Sequence, residues 1–168
     1  MNASATIEAA WPLSETWQRA RTLVMSEALS PERILFFFGK ESSLEILELL
    51  SQTFENLEGR HILNAIRDRT APDSSPVVQV LHARLPGLLE TQAALAVSRS
   101  GAASVGDSSK QIHVFLLLVS PDGKRTSDRA YLRRASGLFS ARKYLAIRLS
   151  RLLSAEAVIE AIREAEAR

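Results

Sequence analysis

The stretch Val77-Val78-Gln79-Val80-Leu81-His82-Ala83-Arg84-Leu85-Pro86-Gly87 decides how the chain is read. Before it, apolar residues recur at helical spacing; inside it, β-branched and aliphatic residues crowd into a short run and the period changes. Val77, Val78, Val80 and Leu81 predict a strand that ends at His82, and Pro86-Gly87 predicts the turn that follows. An imidazole where a strand runs out is notable, because α/β sheets display reactive groups in the loops beyond strand ends.

Toward the C-terminus, Ala93 to Val97 reads as another strand, and Ser98 to Lys110, rich in serine and glycine, as a mobile loop. Ile112 to Val119 is a continuous apolar run, as expected of a central strand covered on both faces. Pro121-Asp122-Gly123 signals a turn. From Ser127 the chain reads as helical: Leu132, Ala135, Leu138 and Phe139 share one face, then Tyr144, Ile147 and Leu149, with a new start at Ser154 leading to Val158 and Ile162.

Toward the N-terminus, Thr70 to Pro76 is a loop, and a short helix after Gly59 turns Ile62, Leu63 and Ile66 inward. Ser42 and Glu45 form a capping box for a helix whose apolar face is Leu44, Leu47, Leu50 and Phe54. Ile34 to Phe38, closed by Gly39, is a buried strand or an irregular packed segment. A further helix is expected over Ser14 to Ser30. Strands interleaved with helices give an α/β fold, a mixed central sheet with helices on both faces. The division expected is an N-terminal extension with one helix at 1–30 and a single domain at 31–168.

The chain has 168 residues, 46% of them apolar and 24% charged, which is ordinary globular composition. It has no cysteine, which excludes disulfides, zinc–cysteine sites, iron–sulfur clusters and a thiol nucleophile, and no metal site is expected. No targeting segment stands out, and Val114 to Val119 is far shorter than the roughly 20 residues of a membrane-spanning helix, so a cytoplasmic protein without membrane insertion is expected. The formal charge of +2 conceals an asymmetry. Lys124 to Arg151 carries nine basic residues against one acid, whereas Glu41 to Asp68 carries six acids against two arginines. The pattern fits either a basic face for an acidic or phosphorylated partner, or two solvated helix faces. No nucleic-acid motif accompanies the arginines, and Tyr131, Phe139 and Tyr144 fall at core spacing, so no nucleic-acid partner is expected.

Of the three histidines, His61 lies at a helix start and reads as exposed and silent, and His113 as a hydrogen-bonded structural group. His82 is the candidate. Its surroundings, strand–His–Ala–Arg, resemble the Ile-Ala-Ile-Pro-His-[Gly/Ala]-[Arg/Lys] segment of enzyme IIA of the fructose/mannitol class, nitrogen-regulatory type included, from the bacterial phosphoenolpyruvate-dependent sugar phosphotransferase system. Ser42 to Phe54 is similar to the family's first helix, Ala65-Ile66-Arg67-Asp68 to its Arg-Glu pair, Lys110 to Pro121 to its central strand, and Leu132 to Ile162 to its closing helices. The order of elements agrees over about residues 31–166.

The resemblance implies that His82 takes a phosphoryl group from a histidine phosphocarrier protein and passes it to an acceptor subunit, or that its state is sensed by a regulated partner, with no cofactor. It implies that Arg67 stabilises the phosphoryl oxygens, a role suited to a planar guanidinium fork, and that Asp68 anchors Arg67 or its loop. Arg84 is a second candidate cation, and Thr70, Ser74 or Ser75 a candidate hydroxyl. The sequence also departs from the family. No histidine follows His113, so the family's second histidine is missing; Pro72 and Pro76 interrupt the loop that would offer backbone N–H groups; Leu81 replaces a proline. These departures weigh against fast onward transfer. They leave an alternative, a degenerate enzyme IIA-like domain that works as a protein-binding regulatory module. The N-terminal helix either caps the domain or mediates self-association into a homodimer.

Overall fold

The computed structural model describes residues 24–68, 75–123 and 125–168, without the side chains of residues 125–128. Five strands form one mixed sheet: β1 (Ile34–Phe37), β2 (Arg67–Asp68), β3 (Val78–Leu85), β4 (Gln92–Ser104) and β5 (Asp107–Pro121), in the order β1-β4-β5-β3-β2. β1 runs parallel to β4 and β3 parallel to β5, whereas β4–β5 and β2–β3 are antiparallel. The helices are α1 (Met25–Ala28), α2 (Ser43–Gln52), α3 (Gly59–Ala65), α4 (Arg125–Ala141), α5 (Leu145–Leu149) and α6 (Ala155–Glu166).

Alternation along the strands divides the core in two. Val78, Val80, Leu95, Val97, Val114, Leu116 and Leu118 face α1, α4, α5 and α6. Leu81, Ala83, Ala94, Ala96, Phe115, Leu117 and Val119 face α2 and α3. β5 is therefore apolar on both faces from Val114 to Val119, which is why its sequence reads as a run rather than an alternation. The expected fold class holds: an α/β mixed sheet with helices on both faces. The ambiguous Ile34–Phe38 segment resolves as the strand β1, paired from Ile34 to Phe37.

Local signals place several elements as expected. Ser42 accepts from the Glu45 N–H at 3.2 Å while the Glu45 carboxylate accepts from the Ser42 N–H at 2.7 Å, closing the capping box that starts α2. Ser154 accepts from the Ala157 N–H at 3.2 Å and starts α6. The expected Ser14–Ser30 helix lies mostly outside the described residues. Its last part is the single turn α1, whose Met25 and Ala28 join the core.

Three expectations are corrected. The strand expected to stop at His82 continues to Leu85, because pairing with β5 persists to Leu85↔Pro121. Ser98 to Lys110 is not a mobile loop but the outer part of the β4–β5 hairpin, turning at Val105-Gly106. It forms because glycines permit the bends. Gly101 has φ +75 where the register shifts between Val97 and Ala102, and a Cβ there would lie 2.5 Å from the Gln111 side chain. The tip is then fastened by buried Gln79, which donates to the Val105 carbonyl at 3.0 Å and accepts from the Val105 N–H at 2.9 Å. Finally, Leu44, Tyr144 and Ile147 do not join the core; all three face solvent. Ile46 takes the place expected of Leu44, and Leu145 and Ala146 those of Tyr144 and Ile147.

Candidate functional site

His82 stands on β3 between Leu81 and Ala83, whose side chains go to the α2–α3 face, so the imidazole goes to the opposite face with Val80. It is 4% exposed. The strand end expected to display it lies three residues further on, and the ring is instead buried on the face that packs against α1, α4, α5 and α6. Its Nε2 is 2.9 Å from Ser120 Oγ on β5, and Thr91 Oγ1 donates to the same hydroxyl at 3.4 Å. When the ring proton is on Nε2, it donates to Ser120; when it is on Nδ1, Ser120 donates to the Nε2 lone pair. Either way the Ser120 hydroxyl bonds Nε2.

Two cations belong to the same face. Arg67 on β2 is the direct cross-strand partner of His82, so the two side chains leave the ladder on one side. Arg67 is exposed, with Nη1 donating to the Ile66 carbonyl at 2.8 Å. Arg84 is two residues beyond His82 on β3, in register with Ser120, and is half-buried. The imidazole, the Ser120 hydroxyl and two guanidinium-bearing positions are thus gathered where β2, β3 and β5 lie side by side.

The other candidates are placed differently. Asp68 is opposite Leu81 and so belongs to the α2–α3 face, where its Oδ2 accepts from Gln79 Nε2 at 3.0 Å. Through Gln79 it is joined to the clamp of the β4–β5 hairpin. Ser75 offers its carbonyl to the Val78 N–H at 3.2 Å, opening β3. Thr70 and Ser74 lie outside the described residues. His113 is a structural group as expected, with Nδ1 2.9 Å from the Ser98 carbonyl, and His61 is exposed beside Glu58. Among the described residues, no group of three acidic, histidine or cysteine side chains is placed to hold a metal ion, and no helix is long and apolar enough to cross a membrane.

Neither Ser120 nor Thr91 stands out in the sequence. The available signal was weak: Ser120 is the first polar residue after the apolar run of β5, at the same parity as Leu116 and Leu118. Only the parallel β3–β5 register brings it to His82.

No family model matches the chain, and no curated protein matches it by sequence. Solved structures do. The nitrogen regulatory protein IIA-Ntr from Neisseria meningitidis superposes with a TM-score of 0.62 at 18% identity, over 82% of this chain and 97% of that one. A domain from Streptococcus pyogenes M1 GAS, proposed to be a PTS IIA domain, superposes with a TM-score of 0.59 at 17% identity, over 84% of this chain and 96% of that one. At such identity the likeness establishes the fold, which is that of phosphotransferase-system IIA domains.

Proposed function

We propose that this chain is a cytoplasmic regulatory domain of the phosphotransferase system in which His82 accepts a phosphoryl group from a histidine phosphocarrier protein, and a protein partner responds to the change. The observation that carries this reading is the grouping of Arg67, Arg84 and Ser120 around His82 on one face of an enzyme IIA-like sheet. In the step itself, the lone pair of one imidazole nitrogen attacks the phosphorus. The P–N bond to the donor histidine breaks as the P–N bond to His82 forms, and the donor ring leaves with the electron pair of the broken bond. The transition state spreads charge over three equatorial oxygens, which cationic guanidinium groups balance. Ser120 holds the ring so that rotation is not left to chance.

At 4% exposure, His82 is poor at rapid relay, because each transfer requires the ring to become accessible. Slow modification suits a regulator better than a carrier that must keep pace with transport. The same burial favours a second reading, a binding module that kept the fold without phosphotransfer. One experiment separates them: incubation with the phosphorylated phosphocarrier protein, followed by assay for acid-labile phosphate. Label that disappears in a folded His82→Ala variant supports the regulator. A wild-type chain that takes no label, under conditions that modify an active IIA domain, leaves the binding module.

A further inference from the structure

Two exposed patches of opposite charge lie on opposite faces of the sheet, and neither contains His82. On one face, α2 turns Ile46, Leu47 and Leu50 inward and presents Leu44, 60% exposed, and Leu49, 44% exposed, to solvent. Glu45 and Glu48 share that outer stripe, and Glu55 and Glu58 are exposed in the segment that follows. On the other face, α5 turns Leu145, Ala146 and Leu149 inward and leaves Tyr144, 81% exposed, and Ile147, 44% exposed, outside. Lys143, Arg148 and Arg151 are exposed beside them, and no acid occurs from Arg129 to Leu153. A cleft of about 420 Å³ opens at Tyr144, lined by Arg142, Arg148 and Arg168 among others. Glu164 is its one acid and is already held by Arg148 at 2.7 Å.

We infer that the two patches are halves of one contact, the acidic leucine-bearing face of one copy docking on the basic tyrosine-bearing face of a second copy. Each half has the composition of a small docking surface, with apolar side chains among charges, and the signs are complementary. The occupant that matches the basic face is present in the chain itself. Because the halves sit on opposite faces of one sheet, a copy cannot satisfy both with the same neighbour by a two-fold axis. The contact is head-to-tail, and repetition extends it beyond two chains. The charges are solvent-exposed, so the association is weak and sensitive to salt, the screening length shrinking from about 10 Å at 0.1 M to about 3 Å at 1 M.

Sedimentation velocity on the whole chain tests this. In low salt the mean sedimentation coefficient rises with protein concentration through dimer to larger species, and about 1 M salt returns it toward monomer. A variant lacking the basic half, Tyr144→Ser with Arg151→Ser, and one lacking the acidic half, Leu44→Ser with Glu48→Ser, each stay monomeric alone. Mixed together, they form a two-chain species and nothing larger, since one intact half remains on each. Thermal melts verify that both variants are folded. A wild-type chain that is monomeric at every concentration overturns the inference, as does self-association that persists in either variant, resists salt, or is not restored on mixing.

Discussion

The Ser120 hydroxyl lies 2.9 Å from Nε2 of His82, and the two residues sit on adjacent parallel strands, both nearly sealed from solvent. A buried imidazole nitrogen needs a partner, and Ser120 supplies one to Nε2. Ser120→Ala leaves that nitrogen without it. The expected loss of stability is about 1–3 kcal/mol, read from the urea midpoint. If His82 is phosphorylated, the same variant also labels more slowly than wild type, because the ring is no longer oriented. Unchanged stability and unchanged ring-nitrogen NMR shifts would count against the bond.

Arg67 is a test of the same site from its outer edge. It is exposed and opposite His82, so Arg67→Gln removes a charge without opening the core. Stability is expected to stay within about 0.5 kcal/mol, as for most surface substitutions. If His82 is phosphorylated, labelling by the phosphocarrier protein is expected to fall by about 10²-fold or more, the scale of losing one charge-stabilising group in a transition state. Arg67→Lys recovers part of it, since a single ammonium retains the charge but not the fork.

How far the sequence carried differs between fold and site. The capping box at Ser42, the N-cap at Ser154 and the apolar run of β5 were legible because each is a local pattern with a local cause. The β4–β5 hairpin was not, since its outer half pairs through backbone groups and is fastened by Gln79, a residue 26 positions from Val105. The end of β3 is hidden for the same reason: Ala83-Arg84-Leu85 has little strand character of its own and is held by register with β5. At the site, His82 and Arg67 were legible as residues. The enclosure of the imidazole and its bond to Ser120 arise only from non-local pairing.

Glu45 gives a pH dependence with a defined sign. The Ser42 backbone N–H first, and the Ser42 hydroxyl after it, hold the Glu45 carboxyl below the usual carboxylate range. A depressed folded-state value means that its contribution is fully present above the unfolded pKa of about 4.3 and is lost as pH falls through the folded value. Glu45→Gln can still close the capping box but does not titrate there. Urea midpoints of wild type and variant are therefore expected to differ most near neutral pH and to converge in acid. A gap that widens on acidification would reverse the sign.

Glu166, at the end of α6, is held among the N-terminal residues of the described chain. Its carboxylate accepts from the Met25 N–H, from the Ser26 N–H at 3.2 Å and from the Ser26 hydroxyl at 2.8 Å, with Arg134 Nε 3.6 Å away. It thus caps α1, a turn too short to have a stable end of its own. Glu166→Gln keeps the shape but turns one acceptor oxygen into a donor that faces other donors. The expected cost is about 1.5–3 kcal/mol, typical of hydrogen bonds to a charged group. Amide exchange is expected to accelerate first at Met25 to Leu29. Uniform acceleration across the sheet instead would show that α1 does not open separately.

Gln79 makes the sharpest structural prediction because all of its amide is committed. Nε2 donates to Asp68 Oδ2 and to the Val105 carbonyl, both at 3.0 Å, while Oε1 accepts from the Val105 N–H at 2.9 Å. The residue is 1% exposed, so water does not replace these bonds without rearrangement. Gln79→Glu changes a single atom group yet removes both donations and sets a carboxylate against Asp68. Gln79→Leu removes the bonds without adding charge. Both are expected to destabilise, by about 1–3 kcal/mol for Leu and by more for Glu. Because Val105 is the turn of the β4–β5 hairpin, exchange at amides 102–111 is expected to quicken in Gln79→Leu while β3 remains protected. Equal stability of the Glu and Leu variants would mean that the amide's donations matter less than its volume.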